Sequence, residues 1–204
     1  MKPNFTSITI IADESGSMLG LREDTINSVN SFIKEQKDVP GEAMFSLCVF
    51  NTTNRFVYDF VPLDTVKDIS YLDYNPAGST ALLDALGSTI DNLGKKLAET
   101  KEEDRPSKVL ILVITDGQEN ASHKYSSKKI KEMVEHQKSV YSWEFVFSAA
   151  NIDSFKEGGA LGFSSNNIMN YDSDARGTHN LYRTISEKTT KYRTSNSTNS
   201  FFNK

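Results

Sequence analysis

What most limits the fold is Val109-Leu110-Ile111-Leu112-Val113-Ile114, six apolar residues without a polar interruption. A run that short is a strand rather than a helix of ordinary length, and a strand with no apolar–polar alternation is one covered on both faces. It reads as the centre of a parallel sheet with helices above and below. It ends in Thr115-Asp116-Gly117. A second compact run, Ile8-Thr9-Ile10-Ile11-Ala12, ends in Asp13-Glu14-Ser15-Gly16-Ser17. Two buried strands therefore each finish in an aspartate.

The remaining elements follow from periodicity. Ile26, Val29, Phe32 and Ile33 share one helical face between about Leu21 and Lys37, and Pro40-Gly41 ends that helix. A second strand covers Ala43 to Phe50. The third, Arg55 to Val61, alternates with Phe56, Tyr58 and Phe60 on one face, and the link at residues 51–54 is too short for a parallel crossover. These two strands form an antiparallel hairpin, with Pro62 closing the third strand at a sheet edge. After an irregular passage from Asp64 to Asn75, the turn Pro76-Ala77-Gly78-Ser79-Thr80 opens a helix running to about Thr100 with Leu82, Leu86, Leu93 and Leu97 in helical spacing. A helix from Ser127 to Lys138, a strand from Trp143 to Phe147, a short helix from Asp153 to Leu161, a short strand from Asn167 to Tyr171 and a last helix from Asp174 to Thr190 complete the chain. Strands alternating with helices specify an α/β, doubly wound, mostly parallel six-stranded sheet with one antiparallel edge strand and helices on both faces. Residues 1–192 form a single domain, and residues 193–204, rich in Ser, Asn and Thr, form a polar, flexible tail.

Bulk properties exclude several classes of function. The 204 residues fit one domain of ordinary size, with 37% hydrophobic and 25% charged residues and a mean hydropathy of −0.46. No apolar run approaches the roughly 20 residues that span a bilayer. A net charge of −4 gives no general electrostatic reason to bind nucleic acid. Residues 1–7 carry neither a sustained apolar core nor a small-residue cleavage site, so they do not read as a signal peptide. The single cysteine, Cys48, cannot make an internal disulfide, which favours a reducing compartment and a cytoplasmic location.

In open parallel sheets, sites form beyond the carboxyl ends of the strands where the strand order reverses. If the Ile8 and Val109 strands are the adjacent central pair, Asp13 and Asp116 enter one crevice, and the turn at Gly78-Ser79-Thr80 can bring a further hydroxyl. Asp13, Ser15, Ser17, Thr80 and Asp116 are all oxygen donors, a set that suits Mg²⁺ or Mn²⁺ over Zn²⁺. Neutral hydroxyls leave the charge of such an ion incompletely balanced, so an incoming anionic oxygen gains a strong interaction.

DxSxS alone is a weak signal, occurring by chance in very roughly one chain in twenty of this length. Three segments in order, each at a strand end or helix start, are far more specific. With DESGSM, GSTALLDAL and ITDGQEN, the sequence resembles the von Willebrand factor type A family over most of its length up to the final tail, in a short intracellular form of bacterial or phage type. The resemblance implies a complete metal-ion-dependent adhesion site at Asp13, Ser15, Ser17, Thr80 and Asp116. It implies Mg²⁺ (or Mn²⁺) with an open coordination position, filled by an Asp or Glu of a partner protein. Glu14, Gly78, Ser79, Gly117 and Glu119 would form the partner-binding rim, with Glu14 and Glu119 solvated and making the mouth acidic.

Plainer roles stand beside these. Ser15 and Ser17 could cap the first helix and Thr80 the next, and Asp116-Gly117 could be an ordinary turn. His123, His136 and His179 have no metal-ligand spacing and read as surface residues; Cys48 reads as a small buried hydrophobe. Lys124, Lys128, Lys129 and Lys131 read as the wet face of a helix. Two other functions compete with the binding module. One is a Mg²⁺-dependent phosphohydrolase with Asp13 as nucleophile, but two residues on, where such a mechanism wants a general acid, stands Ser15, and no GxxxxGK[ST] loop is present. The other is a scaffold whose metal is purely structural.

Overall fold

The computed structural model describes residues 1–195. Strands β1 (Lys2–Asp13), β2 (Glu42–Phe50), β3 (Asn54–Pro62), β4 (Pro106–Thr115), β5 (Glu144–Ala149) and β6 (Ile168–Asn170) make one sheet in the order β3-β2-β1-β4-β5-β6. All neighbours pair in parallel except β2 and β3, which form the antiparallel hairpin at one edge. The helices are α1 (Arg22–Lys37), α2 (Leu82–Glu99), α3 (Ser127–Tyr141), α4 (Ser154–Ala160) and α5 (Ala175–Thr194).

The uninterrupted apolar strands alternate between two cores rather than between core and water. Ile8, Ile10, Leu110, Leu112 and Ile114 point to a core roofed by α1 and α5. Ile11, Val109, Ile111 and Val113 point to the opposite core, roofed by α2 and α3. Each such side chain, fully buried, contributes about 1.5–3 kcal/mol of transfer free energy. The two layers thus explain why neither face of β1 and β4 meets water over these residues.

The third strand departs from the alternation read in the sequence. Phe56 and Phe60 pack on the α2 face, whereas Tyr58, with Val57, packs on the α1 face. The cause lies in two register shifts against β2, between Phe45 and Leu47 and between Leu47 and Cys48. Each extra residue on β3 turns the next side chain to the other face. Phe60 takes φ 57°, and its N–H leaves the ladder to donate to Ser46 Oγ at 2.8 Å.

At the end of the chain, α5 continues four residues past the expected stop at Thr190. Arg193, expected in the tail, is 4% exposed and donates to the carbonyls of Gln36 in the last turn of α1 and of Val39 and Gly41 just beyond it. The remainder of the tail expected from residue 193 lies outside the described residues. Among the described residues no helix is long and apolar enough to cross a membrane.

Candidate metal site at the sheet switch point

The central neighbours β1 and β4 send their chains to opposite faces, β1 into α1 and β4 toward α3. Their carboxyl ends bound the crevice where the strand order reverses. Parallel pairing sets Ala12 against Ile114, which brings Asp13 beside Thr115 and leaves Asp116 one residue beyond the end of β4.

The hydrogen bonds join these residues into one chain. Asp13, 1% exposed, accepts the Thr115 hydroxyl on Oδ2 at 2.5 Å and the Ser15 backbone N–H on Oδ1 at 2.7 Å. The Ser15 and Ser17 hydroxyl oxygens lie 3.0 Å apart, and the Ser17 hydroxyl donates to Asp116 Oδ1 at 2.6 Å. Asp116 is itself 3% exposed. A methyl group built on Gly117 would lie 3.7 Å from Thr80 Oγ1, so the third hydroxyl of the set sits against the turn that follows Asp116. Burial pushes the Asp13 carboxyl above its ordinary value of 3.8. Hydrogen bonds from Thr115 and Ser15 pull it back in part, and the charge of Asp116 pushes it further up.

Backbone contacts hold the three segments in place. Gly16 N–H donates to Gly78 O at 3.0 Å and Ala77 N–H to Glu14 O at 2.9 Å, joining the first loop to the Thr80 loop. Gly78 has φ +74°, and a Cβ there would stand 2.7 Å from Thr52 Oγ1, so both conformation and space call for glycine. Thr80 is clamped reciprocally by Asn120: its N–H donates to Asn120 Oδ1 at 2.9 Å and its carbonyl accepts Asn120 N–H at 3.0 Å.

Several supporting residues are ones the sequence reading did not single out. Tyr74, 1% exposed, donates its hydroxyl to the Asp13 carbonyl at 2.6 Å. Asp84 accepts three consecutive backbone N–H groups, from His123, Lys124 and Tyr125, and so ties α2 to the loop after β4. Desolvation works against that carboxylate, yet the three donors hold it below its ordinary value. Tyr74 lies in an aperiodic stretch and Asp84 on a helix, where either residue type has commoner roles; only proximity reveals their partners.

Two carboxylates expected to be solvated at the rim are instead engaged by the fold. Glu14 is not solvated: it is 4% exposed, ion-paired with Arg55 at 2.9 Å and accepting the Asn75 N–H at 2.5 Å. Glu119 turns inward as well. Its carboxylate accepts from Leu83 N–H (2.9 Å), Ala121 N–H (2.9 Å), Ser122 N–H (2.7 Å) and the Ser122 hydroxyl (2.7 Å). It thereby caps the first turn of α2, where unpaired N–H groups favour an anion. Both carboxylates, Glu14 buried and Glu119 half-buried, are thus taken up by donors of the fold rather than free at an acidic mouth. Ser17, Gly78 and Ser79 remain exposed, and Gly117 is half-buried. His123, His136, His179 and the lysines at 124, 128, 129 and 131 are exposed, and Cys48 is fully buried.

Among the described residues no three His, Cys, Asp or Glu side chains converge on a point. The donor set is instead two buried carboxylates completed by three hydroxyls, oxygen throughout, which fits a hard divalent cation.

This arrangement defines an open α/β sheet with an oxygen-donor site at its switch point. The model of the von Willebrand factor type A domain matches residues 7–197, and the chain belongs to that family. Solved structures agree in fold. Proximal thread matrix protein 1 from the mussel byssus superposes with a TM-score of 0.62 at 16% identity, covering 95% of this chain and 47% of that one. A further structure of it is described as having a zinc-occupied MIDAS motif. The manganese-loaded TRAP protein of Plasmodium vivax gives 0.59 at 15% identity, covering 89% of this chain and 73% of that one. The SpaC pilus adhesin of Lactobacillus rhamnosus GG gives 0.68 at 12%, covering 94% and 30%. The chain thus spans about half the length of the byssus protein. No curated protein sequence matches it.

Proposed function

We propose that this chain is a metal-dependent protein-interaction module. It binds Mg²⁺, or Mn²⁺, through Asp13, Ser15, Ser17, Thr80 and Asp116, and engages an Asp or Glu of a partner protein through the bound ion. The observation that carries this reading is the continuous hydrogen-bonded chain Asp13–Ser15–Ser17–Asp116 at the sheet switch point. It gathers residues from two strand ends around one small volume. The ion would supply a positive charge only partly balanced by two carboxylates, which favours an anionic ligand from outside. Gly78, Ser79 and Gly117 form the rim. The manganese and zinc in the names of the related structures support a divalent ion at this place in the fold.

The chemistry of Asp13 argues against a phosphohydrolase. A phosphoaspartate mechanism would want a general acid two residues after the nucleophile, and Ser15 stands there with its hydroxyl 3.0 Å from that of Ser17. A metal that serves only structure would leave partner binding intact on chelation, which separates the scaffold reading from ours. The lone thiol of Cys48, fully buried, suits a reducing compartment, and we assign the module to the cytoplasm.

Calorimetric titration of Mg²⁺ and Mn²⁺ into wild type, Asp13→Asn and Thr80→Ala tests the site. Binding to wild type that is lost in Asp13→Asn, with an unchanged circular-dichroism spectrum, is the expected result. Absence of binding at millimolar ion would reduce the constellation to capping and turn chemistry.

A further inference from the structure

Beside the mouth of this site stands an apolar display that no other described residue covers. Leu72 is 92% exposed, Tyr71 51% and Leu19 62%. Isolated exposed apolar residues are unremarkable, but these are held together by Arg22. Its guanidinium lies 4.6 Å from the Tyr71 ring, Nη2 donates to Tyr71 O at 2.6 Å and Nε to Tyr74 O at 2.9 Å. Leu19 sits one turn before Arg22, whose backbone N–H bonds to the Leu19 carbonyl, and residues three apart in such a 3-10 turn share a face.

The loop that presents Tyr71 and Leu72 is rigidly built. Asp73 Oδ2 accepts both the backbone N–H and the hydroxyl of Ser70, each at 2.8 Å, and Asp73 N–H returns to Ser70 O at 3.0 Å. Arg55 donates to Asp73 O at 3.0 Å while pairing with Glu14, and the next residue, Tyr74, is buried with its hydroxyl on the Asp13 carbonyl. The turn is therefore fastened to the backbone of a metal-site residue at one end and to the start of α1 at the other. Such preorganisation lowers the backbone ordering cost of binding through these two large side chains.

We infer that Leu19, Arg22, Tyr71 and Leu72 form a second contact zone of the metal-site interface. Its occupant is a partner segment that carries a large apolar side chain at a fixed spacing from the acidic residue that meets the ion. This rests on the metal-dependent reading above. Two features select this occupant: the zone is continuous with the site through Tyr74 and the turn Gly16–Leu21, and Arg22 gives it a positive edge that favours an acidic segment. Aromatic and arginine side chains are also those that dominate binding energy at interfaces.

The test is selection from a displayed random-peptide library on immobilised full-length protein in Mg²⁺, with elution by chelator, carried out on wild type and on Leu19→Ser/Leu72→Ser. The expected result is enrichment of an acidic residue with a large apolar residue at constant spacing. In the double variant the acidic preference persists and the apolar one disappears, and a selected peptide binds it about tenfold or more weaker. Unchanged Mg²⁺ titration of the variant verifies its fold. Enrichment of the acidic residue alone on wild type would overturn the contact zone and leave the metal reading standing. No chelator-eluted acidic preference at all would overturn both. Apolar enrichment that survives chelator would show a zone uncoupled from the ion and would also overturn the inference.

Discussion

Replacing Glu119 by alanine separates a structural carboxylate from a solvated one. The side chain accepts four hydrogen bonds, two from Ser122 and one each from Ala121 and Leu83. A bond to a charged acceptor contributes about 1.5–3 kcal/mol, but the donors at Ala121 and Ser122 lie in a half-exposed loop and recover water. The Leu83 N–H, on a residue 8% exposed, recovers little. Loss of an anion from the start of α2 removes about 0.3–1 kcal/mol more. The expected destabilisation is about 3 kcal/mol, which for a chain of this size lowers the melting midpoint by about 6–12 °C. Differential scanning calorimetry on metal-free protein reads it directly. Glu119→Gln should recover only part, because its amide nitrogen would face donors. Mg²⁺ affinity should also fall in Glu119→Ala, since the adjacent Asn120 clamps the Thr80 backbone. A midpoint within about 2 °C of wild type, the behaviour of an ordinary surface substitution, would refute the capping role.

Other expectations concern the site and the cores. Because burial raises the Asp13 carboxyl above 3.8, protons compete with the ion: Mg²⁺ affinity should decline as pH falls, beginning above the ordinary carboxylate range. The sign for the metal-free protein is opposite, since a raised acid binds its proton more tightly when folded, so Asp13 adds stability as pH falls through its raised value; Asp13→Asn should abolish that rise in chemical denaturation. Gly87→Ala would bring a Cβ to 2.5 Å from the Tyr125 ring, displacing the ring and its hydrogen bond to Asp91; a loss of about 1–3 kcal/mol in the same assay is expected. Burial pushes the Cys48 thiol up to about 11, so alkylation of the native protein should be slow and should accelerate only with unfolding denaturant.

The architecture was legible because the apolar runs are unambiguous. Val109 to Ile114 is too short and too uniformly apolar for an ordinary helix and reads as a strand covered on both faces, and helices flank it in the sequence at 3.6-residue spacing. Phe56, Tyr58 and Phe60 were misjudged because a bulge leaves no mark in an alternating pattern; it is visible only in the register with β2. The sequence places the end of the last helix at Thr190, whereas α5 runs on because Arg193 is drawn inward by the carbonyls of Gln36 in the last turn of α1 and of Val39 and Gly41 beyond it. Glu14 and Glu119 show the same limit, since a carboxylate beside a motif looks solvated until its donors, Arg55 and Leu83, are found far along the chain.

The sequence by itself determined the alternation of strands and helices, the two aspartates at strand ends and the oxygen chemistry of the candidate ligands, because each is a property of residue type and local spacing. The tertiary structure alone decided that β1 and β4 are neighbours, that the Ser17 hydroxyl reaches Asp116, that Tyr74 braces the Asp13 carbonyl, and which carboxylates face inward. Those facts depend on which distant segments the sheet brings within about 3 Å, the reach of a hydrogen bond, and nothing in a residue's own neighbourhood encodes that distance.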